Sequence, residues 1–457
     1  MDIETLRQER AQNTHDVYNN KIPKRVPINV GLSFTAIADY GKVDRKAAYW
    51  DPTLLHPAIN ELCQIIPTDS GIGGSSVYTP VSSQPLDALN RSMSSTGFMQ
   101  HPNTMCMEPD EYDELIEDPY AFLLDKAVPR VYKALDTEVN PGRHVFALYQ
   151  EQMMRQTVTA KEMPGMAEIR QKYGYPAARS RGGSGRVPMD YLADQLRSFD
   201  GICLDVRRRR DKVIAAMEAL YPLIYKMGLH PGYPDKIDRD GMTSFQLHMG
   251  SYLRLKDFEE IWLPTWKRLL TDYASLGMRC AAFLEHEWTE PLLEHINELP
   301  VGSSFSFEST SAKLIKEKLG KRHVLSGGFP LEALLLCTKD EVIDKTKAWL
   351  DIMAPGGQYI FGFDKSVLAL EDIKLENLIA CAETVRDYGV YDNAGESTGV
   401  IFNKEDYKHS EPAIFKSKYY MTFEQFQAKY PETTDNAAST FVAAENNMLR
   451  LIFAMTM

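Results

Sequence analysis

Hydrophobic and polar positions change period repeatedly along the C-terminal half of the chain. Short apolar runs ending in polar or glycine residues, FQLHMG (245–250), FLEHEWTEPL (283–292), LSGGFP (325–330) and APGGQYIFGFD (354–364), are each followed by helical spacing. From residue 199 the alternation continues. ICLDV (202–206) precedes a helix over 211–228, SFQLHMG one over 257–277, and RCAAFLEHE the run PLLEHINELP. SSFSFES precedes AKLIKEKLG, RHVLSGG precedes a short helix and then CTKDEVIDKTKAWLDIMAP, and GQYIFGFD precedes a helix ending near 386–389. Strand–helix alternation predicts a parallel sheet with helices outside, and chemistry at the C-terminal strand ends. With two or three earlier strands the pattern fits an α/β fold of the (β/α)8 TIM barrel type. A doubly wound sheet is the alternative, without the Gly-rich dinucleotide fingerprint.

The N-terminal half is less regular. Residues 1–25 read as a charged N-terminal helix or arm, and VPINVGLSF (26–34) as a first strand. A helix is expected over 51–66, starting at an Asp-Pro cap. SGIGGSSVYTPVSS (70–83) reads as strand plus loop, and 109–135 as helical with a break at Pro119. Within 136–200, AARSRGGSGRVPMD (177–190) reads as a flexible loop or lid, with backbone anion binding as the sharper alternative. The expected organisation is a barrel with its N-terminal arm over 1–392. An extension over 393–457 is expected to pack on the barrel or on a partner subunit.

Composition narrows the class. The apolar fraction is 44% and the charged fraction 25%, ordinary for a globular protein. No stretch approaches the roughly 20 apolar residues of a membrane span, and the polar N-terminal stretch does not read as a secretory signal. A net charge of −12 argues against a nucleic-acid partner. The run Arg207–Arg210 is expected to be a solvated first turn of the next helix. Six scattered cysteines without a CxxC pair suggest reduced thiols and a cytoplasmic setting. Cys337 is expected to be an inert thiol. The many Met and Tyr residues suit adaptable core filling or a roomy pocket.

The densest reactive cluster is Glu285-His286-Glu287 at a strand end. Alternation puts Glu285 and Glu287 on one face and His286 on the other. Paired carboxylates raise one another's proton affinity and suit acid–base chemistry or a hard metal. Gln246 and His248 share a face on FQLHMG, and His248 is a candidate base, metal ligand or substrate partner. Glu308 and Asp364 end two further strands. Gly327, Gly328 and Gly357 offer close backbone approach or tight turns. Asp205 suits a helix N-terminus. No HExxH, CxxC, P-loop, GxSxG or EF-hand pattern occurs, which disfavours zincin, NTPase and serine-hydrolase readings.

At these residues the chain resembles the uroporphyrinogen decarboxylase superfamily, and more closely its methyltransferase-associated branch from anaerobic bacteria. The carrying segments are MEPDEYDELIEDPYAFL (107–123), FDGICLDVRRRRDKVIAAMEAL (199–220), FQLHMGSYLRLKDFEEIWLPTWKRLL (245–270), FLEHEWTEPLLEHINELP (283–300), LSGGFPLEALLLCTKDEV (325–342) and residues 354–391. The resemblance implies a (β/α)8 barrel. Two departures from the family pattern matter. The arginine pair that grips acetate side chains in the decarboxylase has no counterpart in VPINVGLSFTAIADYG (26–41). The H-x-C zinc site of the thiol-methylating members reads His286-Glu287-Trp288 here, with no cysteine near residue 363. Corrinoid-dependent methyl transfer then remains as what the resemblance implies. The corrinoid (methylcobalamin or cob(I)alamin) is expected in trans on a carrier protein, and the donor is a small methyl ether, amine or betaine. Glu285 or Glu287 is the expected proton donor with His248 as its catalytic neighbour. Gln246, His286, Glu308 and Asp364 are expected to bind substrate, and Gly327, Gly328 and Gly357 to approach the cofactor. A metal ion other than thiolate-bound zinc stays open. The alternatives are a decarboxylase in the same barrel, or a binding protein that kept the fold. By analogy with the family, a homodimer is expected.

Overall fold

A computed structural model of the chain describes residues 2–73, 79–177, 182–231, 233, 236, 237, 239 and 241–456. A small antiparallel hairpin joins β1 (Ser92–Met93) to β2 (Met99–Gln100). The main sheet is parallel and runs β3 (Met242–Leu247), β4 (Arg279–Leu284), β5 (Ser304–Phe307), β6 (Val324–Gly327), β7 (Tyr359–Ile360) in that order. Consecutive strands are neighbours, and each crossover contains a helix, among them Leu263–Ser275, Glu290–Asn297, Ala312–Leu319 and Lys339–Met353. The fold is therefore mixed α/β with a five-stranded parallel sheet.

Flanking segments extend this sheet by single bridges. On one side Ile28 bridges Phe361 in parallel, and the Asp69 N–H donates to the Ile28 carbonyl at 2.8 Å. On the other side Ser184 bridges Ser244 in parallel. The expected strand over 26–34 is thus an extended segment with one bridge. Proline at 27 removes a ladder donor there. The strand expected over 70–83 falls partly on residues 74–78, outside the described residues, and Pro80–Ser83 is a helical turn.

The period of two divides the sheet into unlike faces. Register aligns Phe245, Ala282, Phe305, Leu325 and Tyr359 in one row. That row is buried beneath the helices together with Trp262, Trp266 and Tyr273. Burying a large side chain of this kind stabilises by about 1.5–3 kcal/mol. The opposite row is Gln246, Phe283, Ser306, Ser326 and Ile360. It is mostly small or polar and does not build a second core of comparable size. Among the described residues it is sealed only at the N-terminal end, where Val324 and Ile360 pack on Val17 and Tyr18 of the helix Ile3–Tyr18. Arg279 Nη2 ties that helix down by donating to the Tyr18 carbonyl at 2.5 Å.

Four expectations are corrected. ICLDV is helix, within Phe199–Arg208, because Ile202, Asp205 and Val206 fall on one helical face and are buried. The Ser198 side chain caps its start, so Asp205 lies inside the helix and not at its N-terminus. The arginine run is not simply solvated: Arg207 and Arg210 pair with Asp257, and Arg209 with Asp205. Residues 182–190 are no lid. A Cβ at Gly182 would lie 2.0 Å from the Met242 carbonyl oxygen, and one at Gly183 2.0 Å from that of Gly228. These glycines allow backbone to pack on β3; residues 178–181 lie outside the described residues.

The segment from 393 to 456 runs back over its own chain. Ser410 donates through N–H and Oγ to the buried Asp272 carboxylate at 2.6 and 2.7 Å, and Tyr221 donates to the same group at 2.7 Å. Ser417 Oγ donates to Asp118 at 2.9 Å.

One buried ion pair holds the front of the helical layer. Arg197 Nε donates to Asp205 Oδ2 at 2.7 Å, with Tyr112 donating to the same oxygen at 2.9 Å. Replacing one partner leaves a buried charge unpaired, which costs about 3–5 kcal/mol. Asp205→Ala is expected to lower the free energy of unfolding in urea by that amount. A loss under 1 kcal/mol would contradict the assignment.

Candidate active site

The polar row continues past the C-terminal ends of the strands. His248 follows β3, Glu285 follows β4, Glu308 follows β5 and Asp364 follows β7. Adjacent strands lie about 4.7–4.9 Å apart, so these side chains gather at one mouth of the sheet. Gln246 is exposed to the open space one step below His248 on the same face.

His248 is the centre of the cluster. Its Nδ1 lies 2.8 Å from Asp194 Oδ2 and its Nε2 lies 3.2 Å from Glu285 Oε2. Each ring nitrogen thus faces a carboxylate, which favours the doubly protonated imidazolium. Burial opposes that charge. The hydrogen bond to Asp194 and the charges of Asp194, Glu285 and Asp190 outweigh it and push the His248 pKa up to about 9. With 40% of the His248 side chain exposed, water screens these pairs and limits their worth to the roughly 0–1 kcal/mol of surface ion pairs.

Asp190 supports the cluster from below. It is fully buried, and its carboxylate accepts from the His248 and Met249 backbone N–H groups at 3.0 and 3.3 Å and from Trp262 Nε1 at 2.7 Å. Burial, with the neighbouring Asp194 charge, pushes its pKa up to about 7, against the pull of Trp262 and His248. Asp190 and Asp194 are four residues apart on Pro188–Tyr191 and the π-helical turn Leu192–Arg197 that continues it. Trp262 ends a second π-helical turn, Phe258–Trp262. Such turns are frequent at functional sites.

A second group lies beside the first. Glu308 accepts from the His286 N–H at 2.8 Å and pairs with Lys365 at 3.1 Å. Burial raises its pKa, but these two partners win and hold it below the usual carboxylate range. The His286 ring bonds the Tyr252 hydroxyl. Asp364 Oδ1 accepts from the Leu331 N–H at 2.9 Å, and burial pushes its pKa upward.

The structure departs from the expected geometry at four places. Glu285 and Glu287 do not form a carboxylate pair. β4 ends at Leu284, and His286 has φ of 64°, a left-handed conformation that costs about 1–2 kcal/mol outside glycine. That kink keeps Glu285 beside His248 and sends Glu287 into solvent. Among the described residues Glu287 makes no bond to the cluster. Gly357 lies before β7, at the N-terminal end of the sheet, where a Cβ would meet Ile22 Cα at 3.0 Å. It sits at the wrong end to approach a cofactor at the mouth. Gly327 and Gly328 have φ of 70° and 83°, and their Cβ atoms would meet the Phe363 carbonyl at 2.8 Å and the Phe307 ring at 2.3 Å. Close packing accounts for both. The metal-ligand reading of His248 finds both its nitrogens directed at carboxylates. No group of three metal-binding side chains occurs among the described residues.

Sequence reading missed Asp190, Asp194, Tyr252 and Lys365. The signal for the first two was present: two carboxylates at i and i+4 in an otherwise apolar helical run, PMDYLADQL (188–196), which a buried partner must satisfy.

No known protein family matches the chain, and no curated protein matches it in sequence. Among solved structures it is similar to a methyltransferase from Methanosarcina mazei, at 14% identity and a TM-score of 0.48, over 82% of this chain and 98% of that one.

Two pH windows follow from the site. The folded His248 pKa of about 9 lies above its ordinary 6.5. Its contribution to stability is therefore full below about 6.5 and lost as pH rises through about 9. The folded Asp190 pKa of about 7 lies above its ordinary 3.8, so its contribution is full below about 3.8 and lost as pH rises through 7. Urea unfolding of His248→Gln is expected to lose only the upper slope, and that of Asp190→Asn only the lower. Unchanged slopes in both variants would contradict the assignments.

Proposed function

We propose that the protein is a methyltransferase that moves a methyl group between a small methylated substrate and a corrinoid brought by a partner protein. The supporting observation is His248 clamped between Asp194 and Glu285 at the open end of a polar row. A methyl ether or an uncharged methylamine needs its departing oxygen or nitrogen protonated as the methyl bond breaks, whereas a quaternary ammonium leaves as a neutral amine without a proton. The His248–Glu285 pair holds a proton at this place, and Asp194 fixes the ring. Gln246, below, orients the substrate. Glu285, Glu308 and Asp364 outnumber Lys365 at the mouth and disfavour an anionic substrate.

The carboxylate-rich mouth also bears on the cofactor. The exposed Tyr252, Leu336 and Leu368 lie on segments that follow β3, β6 and β7, and they suit contact with a flat macrocycle. When bound, the corrinoid supplies the nucleophilic centre that accepts the methyl group. We also read the sheet as part of a (β/α)8 barrel. The bridges of Ile28 and Ser184 and the bond from Asp69 to Ile28 support this. Decarboxylation of a polyacid gains no support, since the row Gln246, Phe283, Ser306, Ser326, Ile360 carries no basic residue.

An anaerobic visible-spectrum assay with Co(I) corrinoid and a panel of methyl ethers, methylamines and betaines tests the proposal. Growth of the methyl-Co(III) band is expected with one donor class, and Glu285→Gln is expected to slow it by about 10²–10⁴-fold. A flat spectrum across the panel, with free corrinoid and with a carrier protein, would overturn it.

A further inference from the structure

The helical segment that carries Asp190 and Asp194 has a second buried face, and that face is built by residues far along the chain. Tyr191 stands between the two carboxylates in sequence and is fully buried. Its ring stacks on Phe453 with centroids 4.9 Å apart and planes 6° apart. Its hydroxyl lies 2.7 Å from Thr456 Oγ1. Phe453 is on the helix Ala438–Met455 and Thr456 follows it; Leu449, Phe453, Met455 and Thr456 are all buried. Tyr132 adds a bond to the Met455 carbonyl at 2.7 Å. The other end of the segment is fixed separately: Leu196 accepts from the Cys106 and Met107 N–H groups at 2.9 and 3.0 Å, and Arg197 pairs with Asp205.

We propose that Phe453 and Thr456 are positioning residues that act through Tyr191 to hold Asp190 and Asp194 against His248. A helical turn is a stiff unit, and residues 190, 191 and 194 differ only in which side they face. With Arg197 pinned at one end, the stack and hydroxyl bond at Tyr191 fix the rotation of the turn about its axis. Loosening that contact lets the turn rotate, and Asp194 Oδ2 then leaves the 2.8 Å contact with Nδ1 first. The charged groups facing His248 are Asp190 and Asp194 from this segment and Glu285 from the end of β4. Only the first two move with the turn, so Glu285 is expected to keep its place. The segment beyond residue 393 would then be part of the site's machinery and not a covering.

The inference does not depend on the reaction, and its test does not use activity. Histidine labelled with 13C and 15N is incorporated into the full chain, the His248 signal is assigned by its loss in His248→Gln, and its titration is followed. Phe453→Leu, Thr456→Val and Tyr191→Phe are expected to lower the His248 pKa by about one pH unit as the Asp194 contact weakens. Thr456→Ser, which keeps the hydroxyl, is expected to titrate as the parent does. Leu319→Ala, at a buried position of the helix between β5 and β6, controls for lost stability; it is expected to melt earlier with His248 unmoved. A parent-like His248 titration in the folded Thr456→Val and Tyr191→Phe variants would overturn the proposal. So would an equal drop in Leu319→Ala.

Discussion

Everything at the candidate site depends on the parallel register of β3 to β7. That register aligns Gln246, Phe283, Ser306, Ser326 and Ile360 in one row and the large buried side chains in the other. A parallel sheet buried on both faces ordinarily has apolar residues on each. Here, among the described residues, one face is sealed only at its N-terminal end, by the small cluster around Tyr18. The polar end stays open, and the residues that follow each strand inherit its direction. His248, Glu285, Glu308 and Asp364 converge for that reason, although they are spread over more than a hundred positions of the chain.

Convergence alone would place like charges together and destabilise the fold. The cluster resolves this by putting cations between carboxylates. His248 stands between Asp194 and Glu285, and Lys365 stands against Glu308. Asp190, the most deeply buried carboxylate, is satisfied by Trp262 and by backbone N–H groups of the strand end itself. Its bonds fix the backbone of His248, and those of Asp194 and Glu285 fix its ring. A histidine held in this way keeps its proton through neutral pH and can be released from it only where a partner moves or a substrate competes. Acid–base chemistry needs a proton within hydrogen-bond reach of the reacting group, which the open face allows.

Much of this was legible in the sequence, and the limits are physical. Strands β3 to β6 and their helices were readable, because period two gives way to period 3.6 at each turn. His248, Glu285, Glu308 and Asp364 were readable as strand-end residues. ICLDV was misread because a short apolar run has no period of its own; burial of Ile202, Asp205 and Val206 decided for helix. The Glu285–Glu287 pair was misread because alternation assumes a continuing strand, and His286 breaks it with a left-handed backbone. The glycines at 182 and 183 looked like a flexible loop, when their missing side chains let backbone approach β3. Asp190 and Asp194 were missed because their partner lies more than fifty residues away, a distance no local pattern spans.

The account stands on the state of one imidazole. The most direct measurement is the 15N chemical shift of the two His248 ring nitrogens in the parent protein as pH is raised from 6 to 10. Both nitrogens are predicted to stay protonated through neutral pH and to titrate together near pH 9, in line with the raised pKa. A midpoint at the ordinary value near 6.5, with one nitrogen bare at pH 8, would mean that Asp194 and Glu285 do not clamp the ring, and the reading of the site built on it would be wrong.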